Sequence, residues 1–423
     1  MLTSKFKNLL SGRLIRNVGW LGIGELINRV FRLATTVTLA RVFSQEDYGL
    51  MAVIYMTFEL VTVFIHRGGV AAKIVQADDH EVAELADTGY WLQWIVCLSL
   101  FALQCAASVA IAGFYGNQRL ILLLSVAALG YILLPLCSVH IALIERENRL
   151  KVTALCNVAQ SFLANTVIVT LCLWGMGIWS IVWAIIISQF SWIIIAWRSH
   201  TWRPPRKFQL KNWQKIINYS KNIIGIELLN KLRLNLDYLI VGRFLGMDQL
   251  GLYFFAFNAG SGITMNVVNT FMSALFPYLC AAKETSQKLR HDYFHSLKTL
   301  ALIIIPIVIL QSALSPLYVP IIFGEKWVGA VPILIIICLS VIPYTFKQAA
   351  TWLLNAMDRS QVALYVDLIF TVIFGIILLG VVNQGILWVA IAVLSSRSLV
   401  SLGFNFWTIK NVFYQKSNSN KLV

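Results

Sequence analysis

Long apolar runs broken by short charged connections fill nearly the whole chain. A helix needs about 20 apolar residues to cross a bilayer. The pattern predicts twelve such spans, at residues 17–41, 48–66, 87–113, 119–143, 151–174 and 178–197, then at 218–243, 248–280, 296–322, 329–355, 362–381 and 385–409. A basic leader carries Lys5, Lys7 and Arg13. The first apolar run lacks a small-residue cleavage site, which predicts a retained span and not a signal peptide. The longest polar connection, 198–215, holds Arg198, Arg203, Pro204, Pro205, Arg206, Lys207 and Lys211. Paired prolines and dense charge mark a linker. It would separate an N-lobe, residues 1–197 with spans 1–6, from a C-lobe, residues 216–423 with spans 7–12.

The two lobes echo each other. Shifting the sequence by 202 positions lays Glu25, Leu26, Asn28, Arg41, Gly49 and Leu50 on Glu227, Leu228, Asn230, Arg243, Gly251 and Leu252. Arg29 falls on Lys231 and Glu46 on Asp248. Asn148-Arg149 before span 5 matches Asp358-Arg359 before span 11, and Gly177-Ile178 matches Gly385-Ile386. Internal repeats signal duplication. An even number of spans per half predicts two six-helix lobes related by a pseudo-twofold axis along the membrane normal. The predicted class is an all-α integral membrane protein.

Composition agrees with the pattern. The 423 residues are 58% hydrophobic and 13% charged, against roughly 45–50% and 25% in soluble domains. The net charge of +15 would suggest nucleic acid in a soluble protein. In a membrane protein it reflects lysine and arginine gathered on cytoplasmic loops. One set of alternate connections and tails holds most of these residues, and the other holds only Arg41, Arg119, Arg243 and Lys326. Both termini and the 198–215 segment are therefore expected in the cytoplasm. Trp174, Trp179, Trp197, Trp202 and Trp327 lie near predicted span ends, as in an aromatic belt. The seven cysteines form no CxxC pair and no disulfide framework.

Charged residues inside spans carry the functional signal. The bases are Arg29, Arg32, Lys231, Arg233, Lys347 and Arg397; the acids are Glu25, Glu59, Glu227, Asp237 and Asp367. Each costs roughly 2.5–3.5 kcal/mol at mid-bilayer on insertion scales, so a lipid-facing position is disfavoured. Glu25 with Arg29, and Glu227 with Lys231, are i,i+4 pairs on one helix face. Such faces would line a hydrophilic cavity between repeats, where transporters hold substrate, and surplus positive charge there suits a pyrophosphate. The bland alternative is that the pairs neutralise themselves and only hold helices together. Arg32, Lys347 and Arg397 lack an obvious local partner and point more strongly to cavity lining. Asp237 lies one turn from Arg233 and fits either pairing or a proton or ion role. Glu59 and Asp367 read as isolated acids, either coupling sites or shielded core carboxyls.

Other motifs are weaker. His291 and His295 are i,i+4 neighbours without an evident third metal ligand. The Gly242–Gly246 spacing matches a helix-packing motif. Pro306, Pro316, Pro332 and Pro343 would kink spans 9 and 10 or mark their ends. The sequence has no glycine-rich phosphate loop, no metal cluster and no serine elbow, so no catalytic residue and no metal site are assigned.

The chain resembles the polysaccharide transporter branch of the multidrug/oligosaccharidyl-lipid/polysaccharide exporter superfamily, the Wzx-type flippases, and most nearly the colanic-acid and teichuronic-acid type. The residues that carry the resemblance are Leu39-Ala40-Arg41-Val42-Phe43-Ser44-Gln45-Glu46-Asp47-Tyr48-Gly49-Leu50, then Leu275-Phe276-Pro277 with Lys288-Leu289-Arg290, then Phe323-Gly324-Glu325-Lys326-Trp327 with Ala330-Val331-Pro332. The resemblance implies an inner-membrane flippase that moves an undecaprenyl-pyrophosphate-linked oligosaccharide repeat unit by alternating access, for O-antigen, capsule or exopolysaccharide export. By position it implies that Arg29, Arg32, Lys231 and Arg233 handle the pyrophosphate and acidic sugars; Lys347 and Arg397 match no family motif. The expected partners are the lipid-linked oligosaccharide, membrane lipids, a polysaccharide polymerase and chain-length or export proteins, with the chain a monomer. No cofactor is expected beyond a coupling ion, H+ or Na+. A drug or cation exporter of the same fold, an enzyme of polysaccharide synthesis, and a non-transporting scaffold are the rival readings.

Overall fold

The computed structural model describes residues 31–65, 70–283 and 285–414. Glu25, Arg29 and the basic leader lie outside them. All regular elements among the described residues are helical. The chain divides into two compact units, residues 1–232 and 233–423.

In the first unit, α1 covers residues 31–42 and α2 runs Gln45–Thr62. Their junction is a capping box. The Ser44 hydroxyl accepts from the Asp47 amide at 3.1 Å, and the Asp47 carboxylate accepts from the Ser44 amide at 3.2 Å, satisfying donors that a helix start leaves open. Arg119 reaches Glu46 at 3.5 Å and Asp47 at 3.3 Å. The polar connection expected after span 2 contains a short helix, α3, Val70–Gln76. Next come α4, Val82–Tyr115, then α5, Arg119–Ala127, α6, Leu129–Leu133, and α7, Pro135–Arg146. Predicted span 4, 119–143, is thus not one straight helix. It bends by 48° ahead of α7, where Pro135 cannot donate to the preceding turn. The unit continues with α8, Leu150–Leu173, and α9, Trp179–Ser199.

The 198–215 segment is fastened to the first unit along its length. Lys207 C=O accepts from Trp91 Nε1 at 2.9 Å, Asn212 donates to Glu84 at 2.7 Å, and Lys215 pairs with Glu81 at 2.8 Å. Trp202 and Leu210 pack on the cluster formed by Ile74, Leu85, Tyr90 and Val139. Helix α10, Trp213–Leu234, follows, and the division between units falls within it. Trp202 and Trp197 belong to the protein interior more than to a lipid-facing belt: Trp202 meets the rings of Tyr90 and His140, and Trp197 donates to Leu136 C=O at 2.7 Å.

The second unit holds α11, Leu236–Leu245, and α12, Met247–Ala282. After α13, Ser286–Tyr318, a π-helical turn and a 3-10 turn lead to α14, Val331–Ala356. Then come α15, Ser360–Val381, and α16, Ile386–Ile409. Predicted span 7, 218–243, is broken at Asn235 into α10 and α11. Gly246 has φ +86° and ends α11, so Gly242 and Gly246 do not form a helix-packing pair. Pro306 and Pro316 lie inside α13, Pro343 lies inside α14, and Pro332 opens α14. Trp327 is fully buried and stacks on Phe255 at 4.1 Å, again inside the protein. Helices α12 and α14 meet closely at Gly260, where a Cβ would lie 3.0 Å from Leu334 Cγ and 3.1 Å from Cys338 Sγ.

Both units use the same buried device. Leu103-Gln104-Cys105-Ala106-Ala107-Ser108 recurs as Leu310-Gln311-Ser312-Ala313-Leu314-Ser315. Gln104 donates to Leu124 C=O at 2.8 Å and accepts from the Tyr131 hydroxyl at 2.6 Å. Gln311 donates to Ala259 C=O at 3.0 Å and accepts from Thr264 at 2.9 Å. Each glutamine ties its helix to a neighbour with both ends of its amide satisfied. The turns before α8 and α15 agree as well: Asn148 and Asp358 are both left-handed, at φ +55° and +58°. Among the described residues eight helices are long and apolar enough to cross a membrane, or nine if the bent α5–α7 segment counts as one span.

Two predictions follow from the polar contacts at these connections. Arg146 donates to the Ile74, Val75 and Ala77 carbonyls at the end of α3 and pairs with Asp79 at 2.5 Å. Arg146→Ala should cost about 1.5–3 kcal/mol, read as a lowered midpoint of thermal unfolding in detergent. The hydrogen bond from Lys215 holds the Glu81 carboxyl below its usual range, and Glu81 raises Lys215. A lowered carboxyl stabilises above its unfolded pKa and loses that contribution as pH falls through the folded value. Amide protection at the start of α4 and α10, taken relative to the intrinsic exchange rate at each pH, should therefore fall at acidic pH, and Glu81→Gln should remove this pH dependence.

Candidate functional site: a charged cavity in the second unit

The break at Asn235 creates the site. It starts α11 with an asparagine at the helix entry and Asp237 in the first turn, a polar start signal inside an apolar run. The Asp237 carboxylate faces the amides of the helix start, where negative charge is favoured. It accepts from the Tyr238 amide at 3.0 Å and from the Tyr253 hydroxyl at 2.8 Å. Asp237 does not pair with Arg233 one turn earlier, because the break ends the i,i+4 register. Arg233 instead reaches Asp367 on α15.

Asp367 is shared. It forms ion pairs with Arg233 and with Lys347 on α14, and Lys347 hydrogen-bonds to it. The three side chains are 18%, 21% and 12% exposed respectively. Asp367 is therefore not the isolated acid that the sequence suggests. The Arg233 contact is ionic without hydrogen-bond alignment, since its buried Nη1 has no hydrogen-bond partner. Tyr344, Lys347 and Gln348 follow i, i+3, i+4 spacing and share one face of α14. Arg397 on α16 donates to Ser340 at 3.0 Å and lies over the rings of Phe257 and Tyr344 at 5.7 and 5.6 Å. It makes no ion pair with another described residue.

Arg233, Asp237, Tyr344, Lys347, Phe370 and Arg397 surround a cavity of about 60 Å³. Its wall carries three bases and one acid; counting Asp367, which pairs with Arg233 and Lys347, the group bears a formal surplus of one positive charge. The volume is that of roughly two waters, so an organic anion requires the walls to part.

The other predicted residues lie elsewhere. Lys231 pairs with Glu59 at 3.3 Å within the first unit, so Glu59 is not isolated either. Glu227 is half-buried on α10, and Arg32 is exposed on α1. Glu25 and Arg29 fall outside the described residues. His291 and His295 stack 6.3 Å apart on α13, and among the described residues no three His, Cys, Asp or Glu gather to hold a metal. Tyr253, Tyr344, Gln348 and Phe370 escaped the sequence reading. As uncharged residues in apolar helices they give no signal until the helices are assembled, although the spacing of Tyr344 and Gln348 around Lys347 was available.

A family model described as "Polysaccharide biosynthesis protein" matches residues 38–332. The chain belongs to this family. Among its relatives, the teichuronic acid biosynthesis protein TuaB of Bacillus subtilis (strain 168) is 25% identical over 346 residues, 81% of this chain and 71% of that protein. The lipopolysaccharide biosynthesis protein WzxC of Escherichia coli (strain K12) is 23% identical over 373 residues, 86% and 74% of the two chains. Two solved structures give the fold. An inward-facing multidrug resistance MATE family transporter of the MOP superfamily superposes with TM-score 0.77 at 13% identity, covering 93% of this chain and 96% of its own. Lipid II flippase MurJ, in an inward closed conformation, superposes with TM-score 0.75 at 13% identity, covering 92% and 87%. The family member described here is therefore a multi-pass membrane protein with a transporter fold.

The shared carboxylate makes a stability prediction. Asp367→Asn leaves two cations facing each other across the cavity wall, and breaking a buried pair from one side costs on the order of 3–5 kcal/mol. Adding Lys347→Met should recover part of the loss. Thermal unfolding of both variants in detergent checks this; equal loss in both would show that the Asp367–Lys347 contact is not the source.

Proposed function

We propose that this protein flips an undecaprenyl-pyrophosphate-linked oligosaccharide repeat unit across the bacterial inner membrane by alternating access, supplying a surface polysaccharide. The observation that carries the reading is the charged cavity of the second unit. Three basic side chains, one from α10 and two from the apolar, membrane-length helices α14 and α16, converge in a polysaccharide biosynthesis family member. Buried cations of this kind belong to substrate pathways more than to packing.

Pyrophosphate chemistry fits the wall. Arg233 and Arg397 are planar donors suited to phosphate oxygens, and Lys347 is a compact point charge. In the present arrangement the Asp367 carboxylate occupies two of the three cations, while Arg397 keeps donors to spare. An incoming pyrophosphate would compete with Asp367 for Arg233 and Lys347 and engage Arg397 directly. The exchange of one anion for another keeps the cations paired throughout, which limits the cost of charge in a low-dielectric site. A cation exporter would need the opposite surplus.

Transport in a host lacking its own flippase tests the reading. Wild type should restore surface polysaccharide. Arg397→Ala and Lys347→Ala, at equal protein level, should lower it about tenfold or more, the loss expected for a charge-assisted hydrogen bond, while lipid-linked repeat unit accumulates. Wild-type protein that restores no surface polymer with any repeat unit supplied would sink the proposal.

A further inference from the structure

The first unit contains a second cavity of different chemistry. Its volume is about 370 Å³, within the roughly 300–1,000 Å³ of small-ligand pockets. Tyr55 and Phe58 contribute from α2, Asn157, Gln160 and Ser161 from α8, and Ser188 and Gln189 from α9. Among the described residues none of its lining is charged. Asn157, Gln160 and Ser161 stand at i, i+3, i+4 and so share a face of α8, as Ser188 and Gln189 do with Ile185 on α9.

Some of these polar groups, Gln189 and Tyr55 among them, have no hydrogen-bond partner among the described residues. Gln189 is 5% exposed, and its amide has no hydrogen-bond partner among the described residues. The amide is not sealed among buried atoms but opens onto the cavity, where its donor and acceptor are free to serve a ligand that enters. Gln160 is half-committed. Its Oε1 accepts from Trp192 Nε1 at 2.7 Å. An indole N–H only donates, so the oxygen is fixed on that side, and the two amide N–H donors are left without a described partner. The Tyr55 hydroxyl likewise has none. Phe58 is held by stacking on Tyr131 at 5.3 Å.

We infer that this cavity is a subsite for an uncharged sugar. Pyranose hydroxyls both donate and accept, which suits amide groups that offer one or both functions, and the C–H faces of the ring pack on aromatic side chains. An acyl or prenyl chain would leave the Gln189 amide unpaired, and an acidic sugar would find no cation among the described lining residues. The inference rests on the flippase reading and deepens it: the first unit recognises a neutral glycosyl residue of the cargo, and the charged cavity of the second unit takes the phosphate end. Selection among repeat units would then depend on Gln160 and Gln189.

Binding to the purified full chain in detergent tests this, with undecaprenyl pyrophosphate as one probe. The others carry a single glucose, galactose or N-acetylglucosamine on the same lipid. Wild type should bind at least one glycosylated form more tightly than the bare lipid. Gln189→Leu should cut that preference about tenfold with bare-lipid affinity unchanged, and Gln189→Asn should keep part of it. Unaltered bare-lipid binding also shows that the leucine variant is folded. A preference equal in wild type and Gln189→Leu, or no preference for any glycosylated form in wild type, overturns the sugar subsite and leaves the flippase reading standing. If wild type binds no member of the set, the flippase reading fails and the subsite falls with it.

Discussion

Charge within membrane-spanning helices must be met by opposite charge or by a polar cavity, and the second unit is organised by that requirement. Asp367 answers Arg233 and Lys347 together, while Asp237 is held by a helix start and by the Tyr253 hydroxyl. Arg397 is left leaning on a serine and two aromatic faces. The helix break at Asn235 belongs to the same solution. Without it, Arg233 and Asp237 would lie one above the other and neutralise each other, and Asp367 would have one fewer cation to hold.

The two cavities differ as their ligands would. One is small, walled by fixed charges and saturated by its own carboxylate. The other is larger and, among the described residues, uncharged and lined by amides and hydroxyls. Cargo with a pyrophosphate at one end and sugars beyond it presents both chemistries. The polar groups that hold the helices together, Gln104 and Gln311 above all, are by contrast fully bonded.

Much of this was legible in the sequence. Apolar runs gave the helical membrane class, and the cost of buried charge singled out Arg233, Lys347, Arg397 and Asp237, which the structure gathers round one cavity, and Asp367, which pairs with two of them. The pairing was not legible. An i,i+4 rule operates within one unbroken helix, whereas Lys231 finds Glu59 across 172 positions and Lys347 finds Asp367 on the next helix. The break in predicted span 7 had a visible cue, a polar helix-start signal at Asn235 and Asp237, that hydropathy outweighed. The neutral cavity gave no signal, because Gln160 and Gln189 resemble any polar residue on a helix face until α8 and α9 are brought side by side.

The contact at Gly260 constrains how this sequence can drift. Cys338 Sγ donates to the Gly260 carbonyl at 3.0 Å, and the backbone oxygen of Leu334 lies 3.3 Å from where a Cβ would stand. A smaller residue at 338 or 334 would clear the side-chain obstacles, but no substitution removes a main-chain oxygen. Alanine at 260 therefore requires the two helix backbones to part locally by a few tenths of an ångström. Positions 334 and 338 are free to vary only within the volume that a glycine partner leaves them, so the three should change together across descendants of this chain or not at all.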